Sequence, residues 1–403
     1  MKSKKLSEFL VWDLIKMQRE QGSVDFETMV KKIFEKISQA NKKYFFVKWF
    51  DFFYNLLHNF SKKRIYFKGD RFKQFISETK KQYPVGLVVS GAKDRLYAIK
   101  NFLPYFSVSH LYEDVDKYFK TGNEKYLRKL VKGTNKLLKD KAILQLVLWN
   151  DCFPIDRSII LSSRKLKIPT TQIQIGMYNS EFAPDNGREA DSVFVWGDYF
   201  KEMYSKFNVR STKNIHILGY PKKIKHYPSA KKIKKVVYLG QNIEKFNSAH
   251  LKTKIDTVRD LNKICKSLGL SFEYRPHPND KLQFPCRELP EVNFSQGSLI
   301  DSFDDADVFI SFFSTALIEA VMANKLGMQL RNYDMKTGNF EKLGICKSFS
   351  KLNQVKSYLE KLKKDPKKGH VFEFSQDYIY HPKSAKKRFI QLLKKIIKNE
   401  IKK

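Results

Sequence analysis

The sequence predicts an α/β protein of two Rossmann-like domains facing a cleft, with a helical extension at the front and an amphipathic helix at the end. Three observations predict it. Short β-branched runs alternate with helix-length segments, that rhythm restarts after a lysine-rich stretch punctuated by proline, and 403 residues exceed a single core, which stops growing at about 250–300 residues. Hydrophobic residues at 42% and charged ones at 30% supply packed cores and leave no case for global disorder.

Residues 1–80 read as basic helices. Their aromatic stretch YFFVKWFDFFYNLLHNF either packs onto the first domain or forms an acceptor- or membrane-facing surface. The first domain, residues 81–222, opens with VGLVVSG, a strand ending at Ser90 and Gly91, then the helical KDRLYAIKNFL. ILQLVLW, IPTTQIQIG, SVFVWG and NIHILGYP supply further strands. KKIKHYPSAKKIKK is the interdomain linker, polar and broken by Pro228. The second domain, residues 236–380, repeats the rhythm with VVYLGQ, a helix near residues 252–268, SFEYRPHP, DVFISFFST and ALIEAVMAN. In residues 381–403, Phe389, Leu392, Leu393, Ile396 and Ile397 share one helical face and lysines the other, which predicts a crossover helix packing back on the first domain or a membrane-surface helix.

Lysine and arginine outnumber aspartate and glutamate by 77 to 42, a formal charge of +35, so an anionic partner is expected. The basic residues are spread along the chain without an aromatic RNA-binding signature, which argues against a nucleic-acid module. Cys152, Cys265, Cys286 and Cys346 form no CxxC pair, so neither a zinc site nor a disulfide framework is expected, and a reducing cytoplasm fits. The N-terminus lacks a clean signal-peptide core, and no apolar run reaches the ~20 residues of a membrane span. Any attachment is expected to be peripheral, on the anionic cytoplasmic face of the inner membrane.

Arg275-Pro276-His277-Pro278 and, further on, Ser311, Ser314 and Thr315 all sit at predicted strand ends of the second domain, where open α/β sheets bind ligands. Ser314 and Thr315 start a helix whose hydroxyls and free N–H groups can hold a phosphate, or merely cap it. Arg275 can neutralise a leaving phosphate, and His277, stiffened by flanking prolines, can donate a hydrogen bond or proton to it. In the first domain Asp151 is the candidate general base, or a turn residue, with Asp156 and Glu113 as rivals. Asp301, Asp304, Asp305 and Asp307 precede a strand and read as a turn and cap, so no metal is expected.

The pieces WNDCFPIDRSIILSSRKLKIPTTQIQIG, FAPDNGREADSVFVWGDYFKEMY, IHILGYP, FEYRPHP and DADVFISFFSTALIEAVMANK, in this order over residues 145–325, resemble bacterial GT-B enzymes of capsule, teichoic-acid and lipooligosaccharide assembly. These include sialyl-, polysialyl- and Kdo-transferases and CDP-glycerol glycerophosphotransferases. The resemblance implies a metal-independent inverting glycosyltransferase with no cofactor beyond its nucleotide-sugar co-substrate. That donor would be a CMP-activated acidic sugar, sialic acid-like or Kdo-like, and the acceptor a surface glycan or glycolipid. It assigns His277, Ser314 and Thr315 to the donor phosphate and Asp151 to the base. Arg275, Pro278, Ser311, Glu319, Gly240 and Gln241 would flank the nucleotide, with Ser90, Gly91, Gln174 and Gly176 on the acceptor side. Many relatives carry Gln-His-Gly where this chain has Gln174-Ile175-Gly176. An alditol phosphotransferase using CDP-glycerol or CDP-ribitol is the alternative within the same fold, and a non-catalytic basic membrane- or nucleic-acid-binding scaffold is the alternative outside it.

Overall fold

A computed structural model describes residues 6–13, 15–16, 27–28, 31–32, 34–35, 51, 54, 62–176, 189–207, 214–241, 243, 250–277, 289–331, 338–369 and 376–401. Two wholly parallel sheets organise them. The first has seven strands: β1 (Arg64–Lys68), β2 (Val85–Val89), β3 (Tyr105–Ser107), β4 (Ile143–Leu148), β5 (Thr170–Ile173), β6 (Ser192–Val195) and β7 (Ile215–Ile217), in the spatial order β3-β2-β1-β4-β5-β6-β7. The second has six: β8 (Lys235–Leu239), β9 (Ser271–Arg275), β10 (Asn293–Phe294), β11 (Val308–Ser311), β12 (Leu326–Leu330) and β13 (Lys347–Phe349), in the order β10-β9-β8-β11-β12-β13. The winding direction reverses between β1 and β4 in one sheet and between β8 and β11 in the other.

Alternation along the strands builds the layers. Ile65 and Phe67 face the core that holds helices Lys73–Lys80 and Ala92–Lys100, while Tyr66 faces the core of helices Tyr112–Thr121, Lys125–Lys139 and Pro154–Lys165. In the second domain Val236, Tyr238, Val308 and Ile310 point to helices His250–Ser267 and Leu352–Lys364, and Val237, Leu239 and Phe309 to helices Leu299–Asp305 and Thr315–Met322. Strands covered on both faces read as apolar runs, which is why these segments stand out in the sequence.

The expectation of helix throughout residues 1–80 is corrected by β1, which lies at the centre of its sheet between β2 and β4. Its sequence, RIYFK, begins and ends with cations that resemble a polar helix face. Both are buried. The Arg64 guanidinium donates to the Lys62 carbonyl at 3.1 Å, and the Lys68 ammonium pairs with the buried Asp156 carboxylate. Burial pushes the Asp156 carboxyl up while the Lys68 charge opposes it. Strands β3, β10, β12 and β13 likewise carry no clear strand signal in the sequence, being short or interrupted by glycine.

The linker lies against the second domain: the Tyr227 amide donates to the Ala323 carbonyl at 3.0 Å, Lys225 pairs with Asp304 at 3.1 Å, and the Lys234 and Lys235 amides donate to Asp307. Asp301 completes a capping box with Ser298. The acidic run therefore caps a helix and ties down the linker. The last helix, Ala385–Ile401, returns to the first domain, where Phe389 stacks on Phe75 at 4.6 Å and Ile390, Leu393 and Ile397 are buried. Among the described residues no helix is long and apolar enough to cross a membrane.

Two outcomes follow from this packing. Phe389→Ala is expected to cost about 3–5 kcal/mol in chemical denaturation, and a loss near zero would mean the helix does not hold the first domain. Asp156→Asn leaves Lys68 buried without its counter-charge and is expected to cost about 3–5 kcal/mol, whereas Lys68→Met combined with Asp156→Leu recovers most of that loss. A double variant as unstable as the single would contradict this account of β1.

Candidate active site at the strand ends

Where winding reverses, the helices after the two central strands leave on opposite faces and open a crevice beyond the strands' carboxyl ends. The β8–β11 crevice gathers most of the second-domain candidates. Gly240 follows β8, and its amide donates to the Arg275 carbonyl at 2.8 Å. A Cβ there would lie 2.6 Å from the Tyr274 hydroxyl and 2.9 Å from the Arg275 carbonyl, so only glycine fits this approach. Gln241 is buried, and its side-chain carbonyl accepts the Phe313 amide at 3.0 Å. The Ser311 hydroxyl stands 2.9 Å from the Leu239 carbonyl and 3.0 Å from that same Gln241 oxygen, and it is fully buried. These residues brace the crevice floor.

Ser314 caps helix Thr315–Met322, its hydroxyl accepting the Ala316 amide at 3.1 Å, and Thr315 is the first helical residue. The simple cap is thus present, and a helix start that follows the carboxyl end of β11 is also where the helix dipole favours an anion. His277 lies two residues beyond β9, half-buried. Pro278 lies outside the described residues.

Two expected donor contacts are engaged elsewhere. Arg275 donates to the Ser302 hydroxyl at 3.1 Å and the Gly297 carbonyl at 2.9 Å, so its guanidinium braces the turn before helix Leu299–Asp305 rather than standing open to a phosphate. Burial lowers its pKa against the pull of Asp301 and Glu273. Glu319 is 5% exposed and is held by the Tyr220 hydroxyl and by Lys222 at 2.8 Å. Burial, then the facing carboxylate, raises the Tyr220 hydroxyl far above its usual range. This clasp joins the end of the first domain to the helix that starts at the crevice, and Trp196, Tyr199, Phe200 and Tyr220 share one apolar cluster with Phe309, Leu317 and Ile318.

In the first domain Asp151 follows β4 but is only 1% exposed, and its Oδ2 accepts the Glu189 amide at 2.8 Å and the Ala190 amide at 3.1 Å. In this arrangement it anchors the chain entering β6 instead of presenting a base. Its rival Asp156 is paired with Lys68, and Glu113 pairs with Lys117 on a helix surface. Gln174 is buried, accepts the Trp196 amide at 2.9 Å and donates to the Gly176 carbonyl at 2.9 Å. Gly176, like Gly91, has open space where a Cβ would be. The Ser90 amide donates to Asp94 at 3.2 Å.

The β1–β4 crevice holds residues that the sequence reading missed. Arg71 lies over the Trp149 ring at 5.2 Å, Lys68 over the same ring at 5.7 Å, and Asp70 pairs with Lys73 at 3.1 Å. Their signal was the Gly69-Asp70 turn directly after an aromatic β run. Among the described residues no three His, Cys, Asp or Glu side chains group as metal ligands.

No protein-family model and no curated protein matches the chain. Solved structures do. UDP-bound MnaA of S. aureus superposes with a TM-score of 0.55 at 13% identity, over 85% of this chain and 98% of its own. UDP-GlcNAc 2-epimerase of Neisseria meningitidis, bound to UDP-GlcNAc, gives 0.54 at 13% over 83% and 100%. MurG of Acinetobacter baumannii gives 0.55 at 10% over 82% and 99%. Identities this low speak to architecture, and the architecture they share with this chain is GT-B, two Rossmann-like domains in series.

Proposed function

We propose that this chain is a nucleotide-sugar-dependent glycosyltransferase that binds its donor in the β8–β11 crevice and transfers the sugar, with inversion and without a metal, to a surface glycan or glycolipid. One observation carries the reading: a floor braced by Gln241 and Ser311 and a helix start capped by Ser314 lie together at the switch point of the second sheet. Backbone amides at such a helix start bind phosphate. The departing nucleotide phosphate would rest against Thr315 and the first turn, with His277 as its hydrogen-bond or proton donor. The resemblance in motif order favours a CMP-activated acidic sugar as donor. The solved structures named above that carry a ligand hold UDP or UDP-GlcNAc, so a UDP-sugar is the donor to set against it. The lysine-rich exposed face of the last helix suits an anionic membrane surface, where such acceptors reside.

Thermal melting with CMP-, CDP-, UDP- and GDP-activated donors tests this. One nucleotide class is expected to raise the melting temperature, because a ligand that binds only the folded state stabilises it. His277→Ala is expected to lower transfer by about 10²–10⁴-fold. No shift with any nucleotide, or near-normal turnover in a folded His277→Ala protein, would remove the proposal. A shift confined to CDP-alditols would move it to phosphotransfer.

A further inference from the structure

One strand along from the β8–β11 crevice lies a separate cavity of about 250 Å³. It is lined by Phe312, Arg331 and Phe349, at the carboxyl ends of β11, β12 and β13, and by Thr253, Ser350 and Lys351, at the starts of helices His250–Ser267 and Leu352–Lys364. Phe312 lines this cavity while its neighbour Phe313 donates its amide to Gln241. Cavity and crevice are therefore flanked by consecutive residues of the chain.

Among the described residues the lining is cationic and no ion pair neutralises it. Arg331 and Lys351 contribute two positive charges, and none of the lining residues is acidic. The Arg331 Nε is shielded from solvent and has no hydrogen-bond partner among the described residues. A buried donor left unpaired is costly, and native structures nearly always supply it with an acceptor. An anionic oxygen is the strongest acceptor a guanidinium can take. Thr253 and Ser350 add hydroxyls, and Phe312 and Phe349 add apolar faces for the carbon skeleton. The volume is below the about 300–1,000 Å³ of pockets that enclose a whole drug-sized ligand, so it suits one small group.

We infer that this cavity receives the charged end of the transferred group, a carboxylate or phosphate on a small polyhydroxylated body, and that Arg331 and Lys351 make the protein prefer donors whose transferred group is charged (charged donors) over donors such as UDP-GlcNAc, whose transferred group is neutral. The inference rests on the glycosyl-transfer reading above for the identity of the molecule that delivers the group. The cavity's anion preference itself needs only Arg331 and Lys351.

Calorimetric titration of the full chain with CMP, CMP-sialic acid, CDP-glycerol and UDP-GlcNAc tests it. One charged donor is expected to bind more tightly than its bare nucleotide. Arg331→Met and Lys351→Met are each expected to weaken that donor by about tenfold or more while leaving the bare nucleotide unchanged. Arg331→Lys keeps the charge, restores part of the affinity and shows that the fold is intact. Preference for CMP-sialic acid identifies the carboxylate, and preference for CDP-glycerol the phosphate. Charged-donor affinity unchanged in the two methionine variants, or a wild-type preference for UDP-GlcNAc, would overturn the inference. Should no nucleotide bind, the functional reading fails, and free N-acetylneuraminate and glycerol 3-phosphate decide the cavity alone: binding lost in Arg331→Met upholds it, and no binding overturns it.

Discussion

Parallel pairing of β8 with β11 is the constraint on which the second domain depends. Because the helices after these strands leave on opposite faces, no connection covers the backbone just beyond them, and its polar groups must be satisfied locally. The Gln241 side chain does this by accepting the Phe313 amide, and the Ser311 hydroxyl stands against Leu239 on the neighbouring strand. Tyr274 fills the space above Gly240 that any larger residue would need. The result is a hydrogen-bonded floor beside a helix start, made by residues that do not themselves need to touch a ligand.

That floor is tied to the first domain through Glu319, on the same short helix that Ser314 caps. Tyr220 and Lys222 hold the carboxylate, and an aromatic cluster continues from Trp196 and Phe200 into Phe309 and Leu317. The Tyr220 amide also donates to the Tyr380 carbonyl at 2.9 Å, just before the chain returns to the first domain as helix Ala385–Ile401. The two domains are therefore joined at the helix that starts beside the crevice.

The fold was legible because doubly covered parallel strands such as VVYLG and VFIS are continuous apolar runs, and because glycine, serine and asparagine mark their ends. Strand β1 was not, since Arg64 and Lys68 hide it among the lysines of the preceding segment and the partner that makes Lys68 tolerable, Asp156, lies 88 residues away. The same limit applies at the site. Strand-end placement sets Gln241 against Ser311 and Phe313, with Ser314 at the start of the helix that follows. What each polar side chain does there depends on remote partners: Glu189 and Ala190 for Asp151, Gly297 and Ser302 for Arg275, Tyr220 for Glu319. Arg331 and Lys351 carry no motif and become visible only when β12, β13 and two helix starts enclose a common space.

Amide hydrogen exchange, with and without the nucleotide that stabilises the protein, tests the central claim most directly, because a bound phosphate protects the amides that hold it. Protection concentrated at Gly240–Gln241 and at residues 313–317, with little change around Asp151, is the predicted result. Protection centred on the β1–β4 crevice, with residues 313–317 exchanging as in the free protein, would contradict the placement of the donor in the second domain.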